Sequence, residues 1–216
     1  MKFDAVIFDC DGVLVDSEAI TSGVLRDMLD ELGWRMSPRE CHDVFLGKAL
    51  QDELTMIHSR TGILPGDEWI EQFRQRRNSA LAIDLQPIPG VHDALAQISA
   101  RWRSNIACAS GADRGKILLQ LEKVRLIDYF ADRTFSGYEM ARNKPFPDVY
   151  QAAMAALGVD ARRCAVVEDS VTGITAGAAA GATVYAYAPQ GDADPLYRAG
   201  ASYVFTDMAQ LPALLG

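Results

Sequence analysis

Several common features are scarce or missing in this sequence. Its 216 residues include only three histidines and four cysteines, with no CxxC pair and no His-rich segment. That excludes the usual zinc and dithiol motifs. Cys10, Cys108 and Cys164 lie in or beside apolar runs, and all four cysteines read as small core hydrophobes in a reducing compartment. No apolar stretch approaches the ~20 residues that span a bilayer. "AGAAAGATVYAYA" is greasy but broken by glycines. The N-terminus enters a strand pattern at once, with no signal-peptide pattern. Basic residues are outnumbered, 21 against 29 acidic ones, and the formal net charge is −8. That disfavours nucleic acid and anionic membranes as partners. It still allows a small anionic substrate, because a local site can oppose the overall field. There is no repeat, no low-complexity tract and no P-loop lysine motif. The expectation is a cytoplasmic protein, monomeric or weakly homo-oligomeric. A chain of this length buries about 70% of its unfolded surface, so it needs no disulfide or structural metal to fold.

What is present is an alternation of short apolar runs and amphipathic stretches. "DAVIFD" from Asp4, "NIACAS" from Asn105, "CAVVED" from Cys164 and "TVYAY" from Thr183 are continuous apolar runs, with a weaker "SYVF" from Ser202. Such runs suit strands covered on both faces, as in a parallel sheet. Helical patterns separate them. "VHDALAQISARW", "DRGKILLQLEKVRL" and "PDVYQAAMAALG" are the clearest, and the last stops at Gly158. The alternation predicts a doubly wound, mainly parallel α/β fold. One segment breaks it. Between Asp16 and Leu85 the patterns are helical throughout, in "AITSGVLRDMLDELG", "QDELTMIHSRTG" and "GDEWIEQFRQRRNSAL". This is too much helix for one crossover. Residues 1–15 and 86–216 are therefore expected to form the α/β core, and 16–85 an inserted helical domain. Asp16 and Glu18 are expected to cap its first helix and line the hinge.

The first strand runs into an acidic cluster, "VIFDCDGVLVDSE", which holds Asp9 and Asp11. In open parallel sheets, ligand sites lie beyond the carboxyl ends of the strands. Asp9, Ser110 and the pair Glu168-Asp169 each end an apolar run, and Lys144 follows a possible further strand, "RTFSGYE". Distant parts of the chain thus deliver polar groups to one edge. Left alone, Asp9, Asp11, Glu168 and Asp169 would repel. A hard divalent cation would relieve that, and Mg²⁺ is the usual choice where phosphate is handled. Ser110, near a predicted helix start, offers a hydroxyl and backbone N–H groups to an anion. Lys144 adds a point charge. Carboxylates, metal, hydroxyl and lysine together make a phosphoryl-transfer site.

In order, these stretches resemble the four motifs of the haloacid dehalogenase superfamily: "DCDGV" behind its apolar run, Ser110 after a strand, Lys144 in "KPFPDVY", and "EDSVTGITAGAAAG". The resemblance covers essentially the whole chain. It implies a Rossmann-like core and a small helical cap that closes over the cleft. It implies Asp9 as the nucleophile, forming an aspartyl-phosphate. Asp11 would be the general acid and then the general base. Mg²⁺ would be held by Asp9, the Asp11 backbone carbonyl and Asp169, with Glu168 near or in the shell. Ser110, Gly111 and Lys144 would hold phosphate oxygens, and Gly47 and Lys48 in the loop "FLGKAL" would read the substrate. Some positions depart from the pattern. Val13 stands where relatives commonly have Thr, Asn143 where a Gly often precedes the motif lysine, and Leu50 near where a β-phosphoglucomutase-like cap has an arginine. The implied activity is a Mg²⁺-dependent phosphatase for a small phosphorylated metabolite. "YFADRTFSGYEMARNKPFPD" looks similar to bacterial sugar-phosphate and 6-phosphogluconate phosphatases. A phosphomutase is the alternative. A phospho-accepting receiver domain also has an acidic pocket and a lysine, but the length and the helical insertion argue against it.

Overall fold

The computed structural model describes residues 2–45, 50–103, 105–130 and 132–216. Two compact units emerge, Met1–Asp16 with Gln86–Gly216, and Ser17–Leu85. Gly47 and Lys48 lie outside the described residues.

The chain starts with strand β1 (Ala5–Phe8) and a short β2 (Val15–Asp16). It then enters the smaller unit, with helices α1 (Glu18–Glu31), α2 (Pro38–Phe45), α3 (Leu54–Thr61) and α4 (Asp67–Asp84). It returns as β3 (Gln86–Pro87), antiparallel to β2, with Val15 opposite Pro87 and Asp16 opposite Gln86. From there helices and strands alternate: α5 (Val91–Trp102), β4 (Ile106–Ser110), α6 (Arg114–Lys123), α7 (Ile127–Phe130), β5 (Thr134–Ser136), α8 (Asp148–Leu157) and β6 (Cys164–Glu168). Then come α9 (Val171–Ala179), β7 (Thr183–Tyr187), α10 (Ala193–Ala199), β8 (Tyr203–Phe205) and α11 (Leu211–Leu214).

The main sheet has the order β5-β4-β1-β6-β7-β8, and every pairing in it is parallel. The apolar runs are continuous because both faces of the sheet are covered. On one face Ile7, Ala109, Val166 and Val184 pack with Val149 and Tyr150 of α8, Ile174 of α9 and Leu196 of α10. On the other, Phe8 meets Phe130 of α7 edge-on, with ring centroids 6.1 Å apart. There too the Tyr185 hydroxyl donates to the Leu214 carbonyl of α11 at 3.2 Å. This is the doubly wound α/β architecture expected from the sequence. β1 lies between β4 and β6, so the strand order reverses beside it. In a parallel sheet all carboxyl ends share one edge, and the reversal opens a crevice there.

Among its described residues the smaller unit holds helices and no strand. Leu25, Met28, Leu29, Cys41, Ile57 and Phe73 form its core. Helix α2 opens on a reciprocal capping box. The Glu40 N–H donates to Ser37 Oγ at 3.2 Å, and the Ser37 N–H donates to Glu40 Oε2 at 2.8 Å. The expected cap of α1 shifts by a residue. Ser17 takes the N-cap position, Asp16 belongs to β2, and Glu18 is the first helical residue, where its charge suits the helix dipole. All four cysteines are buried free thiols.

Candidate active site

Asp9 follows β1 directly. Its N–H still donates to Val167 of β6 at 2.9 Å, so the sheet ladder fixes its backbone. A tight turn comes next. The N–H groups of Leu14 and Val15 both donate to the Cys10 carbonyl, at 2.9 and 3.1 Å. Gly12 sits in this turn with φ +74°, and a Cβ there would come within 2.0 Å of Asp169 Oδ2. Only glycine serves, since it tolerates the left-handed backbone and lets the Asp169 carboxylate lie against the turn.

The other expected residues arrive at the same edge. Ser110 closes β4 and is buried. Its hydroxyl accepts the Ala112 N–H at 3.1 Å. Helix α6 begins at Arg114 behind an Asp113 cap whose side chain accepts the Lys116 N–H, where the helical pattern from Asp113 puts it. Ser110 is the last residue of its strand and caps no helix. Lys144 reaches in from the loop before α8. Its ammonium donates to Asp9 Oδ1 at 2.7 Å, to Glu168 Oε1 at 2.8 Å and to the Ala109 carbonyl at 3.1 Å. Three donors thus meet three acceptors. Burial works against this charge, but Asp9 and Glu168 outweigh it and hold the ammonium well above the ordinary lysine range. Asn143 gains a role from its departure from the motif. Its Nδ2 donates to the Gly111 carbonyl at 2.9 Å and its Oδ1 accepts the Lys144 N–H at 2.8 Å. One side chain therefore ties the lysine loop to the loop after β4.

Glu168 ends β6, and both of its carboxylate oxygens are bonded. Oε1 accepts Lys144 and the Tyr150 hydroxyl, the latter at 3.0 Å. Oε2 accepts the N–H groups of Asp169 and Ser170, at 2.8 and 2.9 Å, and the Ser170 hydroxyl at 3.0 Å. Five donors saturate the roughly four lone-pair sites of a carboxylate. Burial opposes its charge, but Lys144 and the two backbone donors outweigh burial, and the carboxyl sits below the ordinary glutamate range.

Three residues here escaped the sequence reading. Tyr150 of α8 looked like one more apolar helix position. Lys116 and Gln120 of α6 both donate to Asp11 Oδ1 at 2.7 Å. Their signal was present: Lys116 and Gln120 share the buried face of α6 with Ile117 and Leu121. A lysine and a glutamine at helical spacing on a buried face call for a polar partner.

The donor set fits a hard divalent cation. Asp9, Glu168 and Asp169 bring carboxylate oxygens within 4.8 Å of one another. All the donors are anionic oxygen, the ligand chemistry of Mg²⁺. Burial pushes the Asp9 carboxyl up to about 7, with repulsion from Glu168 and Asp11 acting in the same direction and Lys144 opposing. A cation would relieve that stress. Glu168 lies within reach, but its oxygens are already filled by protein donors, so it fits an anchor better than a ligand.

A family profile for haloacid dehalogenase-like hydrolases matches residues 3–181. The chain is a haloacid dehalogenase-like hydrolase. Among relatives of this hydrolase, it is 31% identical over 214 residues to the 6-phosphogluconate phosphatase of Escherichia coli K12, covering 99% of this chain and 95% of that one. It is 31% identical over 202 residues to hexitol phosphatase B of the same organism, covering 89% and 87%. A hydrolase of this family from Deinococcus radiodurans R1, solved with bound phosphate and sodium, superposes with a TM-score of 0.81 at 34% identity, covering 99% and 95%.

Proposed function

We propose that this hydrolase is a Mg²⁺-dependent phosphatase acting on a small phosphorylated metabolite, a sugar phosphate or sugar-acid phosphate such as 6-phosphogluconate. One observation carries the reading. At the switch point of the sheet, a buried Asp9 is bonded to Lys144 and stands among further carboxylates at hydrogen-bonding and metal-binding range. The two relatives named above are phosphatases of phosphorylated carbohydrates. The buried free thiols suit a cytoplasmic location.

In the proposed mechanism Asp9 attacks phosphorus. The bond to the ester oxygen breaks, and its electron pair stays on that oxygen. Asp11 supplies the proton, so the alcohol leaves neutral. Asp11 then takes a proton from water as the water oxygen bonds to phosphorus. The Asp9–phosphorus bond breaks, inorganic phosphate departs and Asp9 regains its carboxylate. Ser110, Gly111 and Lys144 orient the phosphoryl oxygens. The Asp9 and Asp169 carboxylates and the Asp11 carbonyl would hold Mg²⁺, which when bound supplies charge stabilisation for the phosphoryl group. Glu168 holds Lys144 and the start of α9 in place. The helical unit acts as the cap that selects the leaving group, with Gly47 and Lys48 as its sequence-based candidates.

The test is a phosphate-release screen over phosphorylated sugars, sugar acids and hexitols with Mg²⁺, with chromatography of the organic product. The expected result is many turnovers of free phosphate per enzyme, including from 6-phosphogluconate. An isomerised phosphate ester would indicate a mutase instead. Stoichiometric phospho-enzyme without turnover would indicate a phosphoacceptor and sink the proposal.

A further inference from the structure

Lys116 and Gln120 belong to none of the motifs that carry the family resemblance. They stand four residues apart on α6, so their side chains leave the same face. Lys116 is 7% exposed and Gln120 fully buried. An ammonium and a carboxamide cost stability in such positions unless their hydrogen bonding is met. Both meet it at a single atom, Asp11 Oδ1, at 2.7 Å each. The far end of the amide sets its orientation, because Gln120 Oε1 accepts the Cys10 thiol at 3.4 Å. A flipped amide would turn its oxygen toward the Asp11 carboxylate. Asp11 is therefore gripped from α6, while its own backbone lies in the tight turn after β1.

We infer that Lys116 and Gln120 are positioning residues that occupy Asp11 Oδ1, fix the plane of its carboxyl and confine proton exchange with the substrate to Oδ2. The inference rests on the reading of Asp11 as acid and base. A carboxyl turns freely between nearly equivalent arrangements about its last bond. Two N–H donors on one oxygen remove that freedom. They also leave the proton of the neutral carboxyl to the other oxygen. In the first step that proton passes from Oδ2 to the ester oxygen as the phosphorus–ester bond breaks and leaves its electron pair there. In the second, a water proton returns to Oδ2 as the water oxygen bonds to phosphorus and Asp9 departs. Lys116 and Gln120 act only through Asp11.

The test reads leaving-group dependence. An alkyl phosphate needs a proton on the departing oxygen, whereas p-nitrophenolate leaves well without one. kcat/KM covers the steps up to transfer onto Asp9, so it reports the acid step. Lys116→Met and Gln120→Met keep length and remove the donor. Both would be compared with wild type in Mg²⁺, on 6-phosphogluconate or the fastest alkyl phosphate of the panel, and on p-nitrophenyl phosphate. The expected outcome is a fall of about 10–100-fold in kcat/KM for the alkyl ester, against less than about threefold for p-nitrophenyl phosphate. In an Asp11→Asn background the same changes should add no further selective loss, since they act through Asp11. A purely structural role would lower both esters by one factor. That result, or an alkyl-ester rate left unchanged or raised, overturns the inference while the phosphatase reading stands. Gln120→Met decides the matter alone if Lys116→Met does not fold. A wild type that releases phosphate from neither ester removes the phosphatase reading and this inference with it.

Discussion

Asp9 carries both an acid–base problem and a chemical role. Asp9→Asn keeps the shape and removes the proposed nucleophile, so turnover should fall by at least about 10⁴-fold. The fold should remain, as checked by circular dichroism. The same variant isolates a pH effect. The Asp9 carboxyl is raised from an ordinary value of 3.8 to about 7, first by burial and then by Glu168 and Asp11. Between those values the folded state keeps a proton that the unfolded state gives up. Stability attributable to this group therefore falls as pH rises through that window. Without metal, the melting temperature of wild type relative to Asp9→Asn should drop from pH 5 to pH 8, and Mg²⁺ should restore more of it at pH 8. A difference that stays flat with pH would contradict the assignment. At Tyr150 the expectation is smaller. Tyr150→Phe removes one buried bond to Glu168, and denaturant unfolding should register a loss of about 1–2 kcal/mol.

Among the elements, α9 shows how a helix is shaped by the carboxylate it caps. Ser170 is its N-cap and its hydroxyl accepts the Gly173 N–H at 3.0 Å. A Cβ on Gly173 would meet Glu168 Oε1 at 1.6 Å. Helix propensity alone favours alanine over glycine by about 1 kcal/mol. Gly173→Ala is nevertheless expected to lower the melting temperature and activity together, because it displaces the carboxylate that holds Lys144. Gly23 in α1 is the control. A Cβ there meets nothing within 4 Å, and Gly23→Ala should stabilise by about 0.4–1 kcal/mol. If both substitutions moved stability in the same direction, local propensity and not the Glu168 contact would govern α9.

For the whole molecule, metal is the simplest lever. Chelation should lower phosphate release by at least about 100-fold, and added Mg²⁺ should restore it. Full activity after verified metal removal would contradict the proposed site. The insertion offers a second lever. It leaves and returns through an antiparallel pair, with Asp16 opposite Gln86. Replacing Ser17–Leu85 by a two-residue turn would make that pair a simple hairpin. The remaining unit should fold and still hydrolyse p-nitrophenyl phosphate, while losing discrimination among sugar phosphates. A shortened chain that kept the full substrate ranking would show that selection does not reside in the insertion.

The architecture was legible because its signals are local. Continuous apolar runs announce strands buried on both faces, and amphipathic spacing announces helices, so the parallel sheet and the helical insertion could be read directly. Asp9, Asp11, Ser110, Lys144, Glu168 and Asp169 could be picked out because each sits at a strand end or in a short ordered motif. Pairing across the chain was not legible. Lys116 and Gln120 lie 105 and 109 residues from the carboxylate they hold, and Tyr150 resembles any other apolar helix residue. The family resemblance put Asp169 among the metal ligands and Glu168 near or in the shell, but it did not say what would occupy the Glu168 oxygens. Only the folded chain brings Lys144 and the Tyr150 hydroxyl to Glu168 and sets Asp169 against Gly12. A carboxylate's job depends on which groups surround its oxygens, and tertiary packing supplies those groups.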